Sequence, residues 1–367
     1  MTDNFLSTTP RGLVPLLKAT TGVAPVMIWG APGIGKTQII QDNVEEIFSA
    51  AAKDRGIKVP EGAKVELFER RVNDYDLLDF GGLPYNDDGV QRRATPDIWP
   101  GVEAGGKVYG VLFLDEFAQA AREKQTIIQR LFDEGRIGDY VLPGHPKSDP
   151  NCEHGLVFIV LASNRQSDRA NSHGVGSQTG TRLIHVTFEP DVNDWIDWAS
   201  ANDIDPTVVA FIKQQPEYLH KLDPKQTTGS TPRGLVILSK LVGKALPSSI
   251  EMTAFAGAVG EECSRAFLAL VHAARSINID EALIDPENAE IPQEVGHQFA
   301  TASLLIRRAN TENFDNIVKY VERVGDGEFS TPEIGVFVVE AIKRRVPVLA
   351  ETVTYRDFSL RWADIRA

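Results

Sequence analysis

Residues 30–37 form the segment of this chain best suited to binding a phosphate. Their sequence is Gly-Ala-Pro-Gly-Ile-Gly-Lys-Thr, which fits the pattern G-x-x-x-x-G-K-T. Gly33 and Gly35 let the backbone curve so that its N–H groups point at an anion, and a following helix adds the positive end of its dipole. Lys36 is expected to reach the β- and γ-phosphates of a nucleotide, and the Thr37 hydroxyl to ligate Mg²⁺. The predicted binding residues are Gly30, Ala31, Pro32, Gly33, Ile34, Gly35, Lys36 and Thr37.

Two regular elements must flank this loop if it is to act in this way. Residues 23–29 are apolar and partly β-branched, which predicts a buried strand, and residues 38–53 have helical spacing. The order strand, loop, helix is the setting that the motif requires. A glycine-rich turn that matches by chance is the alternative interpretation.

A second candidate site follows another apolar segment. Residues 108–114 predict a buried strand, and Asp115 and Glu116 come directly after it. Because side chains alternate along a strand, one carboxylate can face a metal while its neighbour reaches a water molecule. We expect Asp115 to hold Mg²⁺, through water, and Glu116 to act as the general base. A strand followed by a solvated acidic turn is the alternative.

A third apolar segment, residues 155–162, also predicts a core strand, and Asn164 follows it closely. Polar residues at the carboxyl ends of strands lie at the ligand-binding edge of an open α/β sheet. Asn164 is therefore expected to orient the water that Glu116 activates, although an Asn that caps a loop has the same local sequence. Between these two strands, residues 120–133 have helical spacing and residues 135–143 predict a hairpin.

Composition limits the remaining possibilities. The chain has 367 residues, enough for two or three domains, and its 51 acidic against 38 basic residues give a net charge of -13. Nucleic acid is therefore not the expected partner, since phosphate backbones attract basic surfaces. Two cysteines are too few for a disulfide framework. With neither a secretory signal nor a long apolar run, the protein is predicted to be cytoplasmic and to have no membrane span.

Together these motifs resemble those of the MoxR family of AAA+ ATPases. The resemblance covers residues 23 to about 240 and includes the phosphate loop, Asp115-Glu116, Asn164, residues 181–188 and the Thr-Pro-Arg-Gly segment at 231–234. It implies an α/β AAA+ fold, with a five-stranded parallel sheet between helices and a small all-α lid. It also implies ATP and Mg²⁺ as ligands and a homo-oligomeric ring, usually a hexamer. A further implied partner is a protein client or adaptor with a von Willebrand factor A domain.

Helical patterns after residue 190, together with the resemblance, suggest how the chain is divided, although the carboxyl segment carries no signature of the family. The expected domains are a nucleotide-binding domain at 1–190, a helical lid at 191–275 and a helical extension at 276–367. Residues 73–107 resemble the insertion in helix 2 of this clade, which commonly faces the ring pore or a client. Their richness in Gly, Pro and Asp is equally typical of a surface loop.

Two arginines take their expected roles from the same resemblance. Arg182 lies where the family places an arginine finger, which stabilises charge on the γ-phosphate in the neighbouring subunit. The glycine-rich segment 173–181 before it departs from the family pattern, and three other arginines are rivals for the role: Arg136, Arg165 and Arg169. Arg233 resembles sensor 2, which contacts the γ-phosphate of its own subunit. A surface arginine near a helix start is the alternative.

The predicted function is therefore ATP hydrolysis by a ring-shaped ATPase that remodels protein clients. One alternative is a nucleic-acid motor or loader, which requires basic residues in the pore such as Arg92 and Arg93. Another is a nucleotide-gated scaffold that assembles but hardly turns over. The presence of both Glu116 and a finger candidate argues against the scaffold.

Overall fold

The computed structural model describes residues 5–102, 106–165, 174–222, 228–326 and 331–366. The chain divides into two compact units, Met1–Glu189 and Pro190–Ala367. The first unit contains every strand of the described part, and the second contains helices joined by short connections.

A parallel sheet forms the centre of the first unit. Its strand order is β1-β10-β2-β9-β6-β3, and all five neighbouring pairs are parallel. The α/β class is confirmed, and the five expected strands are joined by a sixth, the two-residue β1. The strands of the unit are β1 Ser7–Thr8, β2 Val26–Trp29, β3 Val65–Arg71, β4 Pro84–Asp87, β5 Val90–Arg93, β6 Val108–Asp115, β7 Arg136–Ile137, β8 Tyr140–Val141, β9 Gly155–Ser163 and β10 Ile184–Phe188.

Helices cover both faces of this sheet because its central strands are apolar on both sides. Ile28 of β2 packs with the first three helices on one face. Trp29, the next residue, belongs to the core on the other face together with the fifth helix. All nine residues of β9 are buried, as expected for the middle of such a sandwich. The helices are α1 Pro10–Thr20, α2 Lys36–Asp42, α3 Val44–Asp54, α4 Leu77–Gly81, α5 Arg122–Asp133 and α6 Ser177–Gly180.

The single helix predicted for residues 38–53 was wrong, since α2 and α3 are separate helices that meet at Asn43. The φ of Asn43 is -124° and lies outside the helical region. Its side-chain Nδ2 donates to the carbonyl of Ile39 at 2.9 Å, which satisfies a carbonyl at the end of α2. The apolar spacing continues across the break, so periodicity did not reveal it.

The predicted insertion at residues 73–107 is folded over its described part. It contains α4 and the antiparallel hairpin of β4 and β5. Trp99 is buried and donates to the carbonyl of Phe80 at 3.2 Å, and it stacks on Tyr140 of the β7–β8 hairpin with ring centroids 5.7 Å apart. The Tyr140 hydroxyl donates to the carbonyl of Pro100 at 3.1 Å. The base of the segment is thus anchored, whereas the β4–β5 strands are exposed.

The second unit has one large apolar core. The residues of this core run from Trp195 to Phe358 and therefore belong to both the predicted lid and the predicted extension. In the described part of the chain, no helix is long and apolar enough to cross a membrane. The helices are α7 Val192–Ala201, α8 Pro206–Gln214, α9 Pro232–Val242, α10 Ser248–Val259, α11 Glu261–Ser276, α12 Asp280–Ile284, α13 Val295–Arg308, α14 Phe314–Asp326, α15 Pro332–Arg345, α16 Val353–Arg361 and α17 Ala363–Arg366.

Candidate functional site

The loop at residues 30–37 connects β2 to α2 in the arrangement that the sequence predicts. Gly33 and Gly35 have φ values of 77° and 98°, in the left-handed region that favours glycine. A Cβ on Gly35 would meet no heavy atom within 4 Å, so the backbone conformation, not crowding, requires glycine there. Helix α2 begins at Lys36, which directs its amino-terminal N–H groups toward the space enclosed by the loop.

Lys36 is held inside this loop. Its side chain crosses back and donates to the carbonyl of Gly30 at 2.7 Å and to the carbonyl of Ala31 at 3.0 Å. A third bond at 3.0 Å reaches Oδ1 of Asn164, which lies 128 residues further along the chain. Lys36 is only 8% exposed, and a buried ammonium is stable only with such partners.

The sheet brings the predicted residues to one edge. Trp29, just before the loop, pairs with Ser163, just before Asn164. On the other side of β9, Leu114 of β6 pairs with Leu161. Adjacent strands lie about 4.8 Å apart, so the ends of β2, β9 and β6 present the loop, Asn164 and the acidic pair side by side.

The acidic pair has a defined geometry. Glu116 adopts a left-handed backbone conformation, with φ 60° and ψ 24°, which turns the chain sharply after β6. Its backbone N–H donates to Oδ1 of Asp115 at 2.8 Å. The Glu116 carboxylate accepts a 3.0 Å bond from Nδ2 of Asn73. Asn73 follows β3, the neighbour of β6, and was missed because the sequence does not reveal which strands are adjacent.

The residues at this edge fit a nucleotide with Mg²⁺. Thr37 is the second residue of α2 and Asp115 the last of β6, and both are only partly buried. Hydroxyl and carboxylate oxygens are the ligands that Mg²⁺ prefers. The loop amides and Lys36 supply the donors that phosphate oxygens require.

Arg182 lies apart from this edge, just before β10. Its Nε donates to Oδ1 of Asp133 at the end of α5, and its Nη1 donates to the carbonyl of Gln178 in α6. Its side chain is 40% exposed. Among its rivals, Arg165 pairs with Glu189, Arg136 is exposed on β7, and Arg169 lies outside the described residues.

Arg233 is in the second unit, at the second position of α9. The helix start explains the Thr-Pro-Arg-Gly sequence. The Thr231 hydroxyl accepts from the Gly234 N–H at 3.1 Å, which caps the helix. A Cβ on Gly234 would lie 2.7 Å from the carbonyl of Ala258 in α10, so glycine is required for close packing. Arg233 itself is exposed, with no hydrogen bond from its side chain to any described residue.

The basic residues proposed for a nucleic-acid pore are both engaged within the insertion. Arg92 Nε lies 2.7 Å from Oδ2 of Asp87 across the β4–β5 hairpin. Arg93 Nη1 donates to the carbonyl of Gly82 at 2.8 Å. Both side chains therefore contact other residues of the insertion.

Comparisons with known proteins give distant structural similarities. No family model and no curated protein matches the sequence. NtrX from Brucella abortus aligns with 88% of this chain at 16% identity and a TM-score of 0.33. This chain covers 66% of NtrX, just under two thirds of its length. ORC2 from Aeropyrum pernix, solved as ADPNP-ADP complexes, aligns with 99% of this chain and 88% of its own at 15% identity and a TM-score of 0.33.

A third similarity is to domain III of the replication initiation protein DnaA from Thermotoga maritima. It covers 70% of this chain and 88% of that one, at 12% identity and a TM-score of 0.31. At TM-scores near one third, none of these similarities identifies an activity. The assignment of function therefore depends on the residues described above.

Proposed function

We propose that this protein is a P-loop ATPase of the AAA+ type that hydrolyses ATP between the subunits of a homo-oligomeric ring. The observation that carries the proposal is the position of Lys36, buried in a glycine loop and bonded to Asn164 of the neighbouring strand. A structural lysine has little reason to occupy such a site, because burying an ammonium is costly. A phosphate chain that replaces the carbonyl partners of Lys36 would explain why the lysine is buried there.

Each residue at the sheet edge has a role in this reaction. Lys36 and the loop amides bind the β- and γ-phosphates, and Glu116 accepts a proton from the attacking water. Asn164 orients that water from the adjacent strand, and Asn73 keeps the Glu116 carboxylate in place. Thr37 and Asp115 would hold Mg²⁺, which when bound would neutralise charge on the phosphates. Away from this edge, Arg182 would stabilise the γ-phosphate of the neighbouring subunit, and Arg233 is assigned the sensor 2 role from the resemblance alone.

The identity of the client is a finer proposal that rests on the resemblance to MoxR proteins. We infer a protein client or an adaptor with a von Willebrand factor A domain, acted on by a hexameric ring. The net charge of -13 favours this protein partner over a nucleic acid. Rings of the slowly hydrolysing Glu116→Gln variant should retain a client in the presence of ATP, and the retained protein would identify the partner.

The phosphate assignment is tested by Lys36→Ala. We expect loss of measurable ATP binding by calorimetry, because the variant loses the cation that the loop encloses, while the melting temperature stays close to that of the wild type. Lys58→Ala, at an exposed lysine of the same unit, is the matched control and should bind normally. Equal affinity in wild type and Lys36→Ala would refute the proposed function.

A further inference from the structure

A chain of hydrogen bonds holds Arg182 in place. The buried Thr179 hydroxyl donates to Oε1 of Gln129 at 2.6 Å, and Nε2 of Gln129 donates to Oδ2 of Asp133 at 3.1 Å. Oδ1 of Asp133 in turn accepts from Nε of Arg182. We name this set the α5–α6 network; its members are Gln129, Asp133, Thr179 and Arg182.

Asp133 is the centre of the α5–α6 network. Both of its carboxylate oxygens are used, one for each neighbouring side chain. Its backbone carbonyl also accepts from Nζ of Lys147, which joins the end of α5 to the loop after β8. Burial raises the pKa of Asp133, but bonds from Gln129 and Arg182 outweigh it, so the pKa lies below its ordinary value. Asp133 therefore stays charged at neutral pH.

The described residues engage only part of the Arg182 guanidinium. A guanidinium has five N–H donors in a rigid fork, of which Asp133 engages Nε and Gln178 engages Nη1. Within the described residues, Nη2 makes no hydrogen bond. The side chain is 40% exposed although it is anchored at two points. The two bonds thus fix the guanidinium to its own subunit and leave Nη2 to bind an anion from outside.

We propose that Asp133 is the positioning residue for Arg182 and aims its guanidinium at the nucleotide of the neighbouring subunit. This inference rests on the proposed function, in which Arg182 acts in trans. Holding a flexible arginine in one conformation costs conformational entropy. Because Asp133 already holds Arg182, this cost is not added to the activation free energy of the reaction. In this role Asp133 would act on the reaction only through Arg182.

The test is Asp133→Asn, which keeps the shape of the side chain and removes its charge. We expect kcat to fall by roughly 10- to 100-fold, the range that a small misplacement can cause, with KM and ATP affinity unchanged. Asp133→Glu should recover part of the rate because it restores the charge. The matched control is Glu134→Gln at the next residue, which is exposed and should keep the wild-type rate.

Mixed rings separate positioning from general damage. Asp133→Asn subunits keep an intact phosphate loop, and Lys36→Ala subunits keep an intact Asp133–Arg182 pair. Rings of both, purified through a tag on each, should turn over faster than the sum of the two parent rings. No gain on mixing, or wild-type kcat in Asp133→Asn, would overturn the positioning role.

The same experiments distinguish this inference from the proposed function. If Arg182→Ala loses turnover while Asp133→Asn does not, Arg182 is the finger and Asp133 does not position it. If Arg182→Ala hydrolyses ATP normally, the trans role fails and the inference fails with it. The binding test on Lys36 is unaffected by either result.

Discussion

Lys36 and Arg182 are cations of the same unit, yet the fold holds them by different means. Lys36 is 8% exposed, and two of its three acceptors are carbonyls of its own loop. Arg182 is 40% exposed and depends on a carboxylate 49 residues away, fixed by further side chains. Apart from the bond to Asn164, the first arrangement is local and uses the backbone. The second exists only when distant side chains meet, so single substitutions should disturb it more readily.

Among the substitutions that test this comparison, Arg182→Ala is expected to have the largest effect. A trans arginine can contribute roughly 10³- to 10⁵-fold to turnover while adding little to ground-state binding. We expect kcat to fall within that range and the ATP affinity measured by calorimetry to stay the same. In rings mixed with Lys36→Ala subunits, hydrolysis should reappear, because some sites then combine one intact loop with one intact arginine.

The arginine assignment would be wrong if such mixed rings form and stay inactive. Complementation by an Arg136, Arg165 or Arg169 variant would then identify the finger. The glycine-rich segment before Arg182 would in that case have been a real departure from the family pattern. Co-purification through both tags is the control for mixing.

A somewhat smaller loss is expected from Glu116→Gln. The amide cannot accept the proton of the attacking water, so hydrolysis should slow by roughly 10²- to 10⁴-fold, the usual span for an acid–base group. Unlike Lys36→Ala, it should bind ATP as the wild type does, and it should assemble a larger particle with ATP than the chain forms without nucleotide. Glu123→Gln, at an exposed carboxylate of α5, is the control; an unchanged rate in Glu116→Gln would remove the general base from the mechanism.

The smallest of these effects is expected from Asn73→Ala. Its amide makes one partly solvated bond to Glu116, so its loss should lower kcat by about tenfold, equivalent to roughly 1.4 kcal/mol. Single-turnover hydrolysis measures the change, with Asn151→Ala, at another exposed asparagine of the first unit, as the control. A faster variant would mean that Asn73 restrains Glu116 and does not place it.

The sequence was sufficient to predict those elements whose signals lie in neighbouring residues. The phosphate loop, the strand before Asp115 and the strand before Asn164 were predicted because buried strands are continuous apolar segments and the loop needs glycines. The break at Asn43 lies in the polar segment 41–43, which fits the exposed face of one continuous helix equally well. The strand Ser7–Thr8 is too short to show a period.

Contacts between distant segments could not be predicted in the same way. Asn73 meets Glu116 across 43 residues, and Asp133 meets Arg182 across 49. Neither pair has a sequence pattern, because the strand order and the placement of α5 beside α6 bring them together. The acidic pair was predicted as a site, but the residue that holds Glu116 was not.

The hydrogen bonds of Lys36 also mean that the protein's own oxygen atoms compete with a phosphate for this cation. Under the proposed function, a phosphate would exchange with the oxygen of Gly30, Ala31 or Asn164, so the observed affinity would be the intrinsic affinity reduced by that exchange. Anions that bind too weakly to complete the exchange would be rejected. A phosphate that draws Lys36 away from Asn164 would also free Oδ1 to accept from water, so substrate binding would release the residue proposed to orient the attacking water.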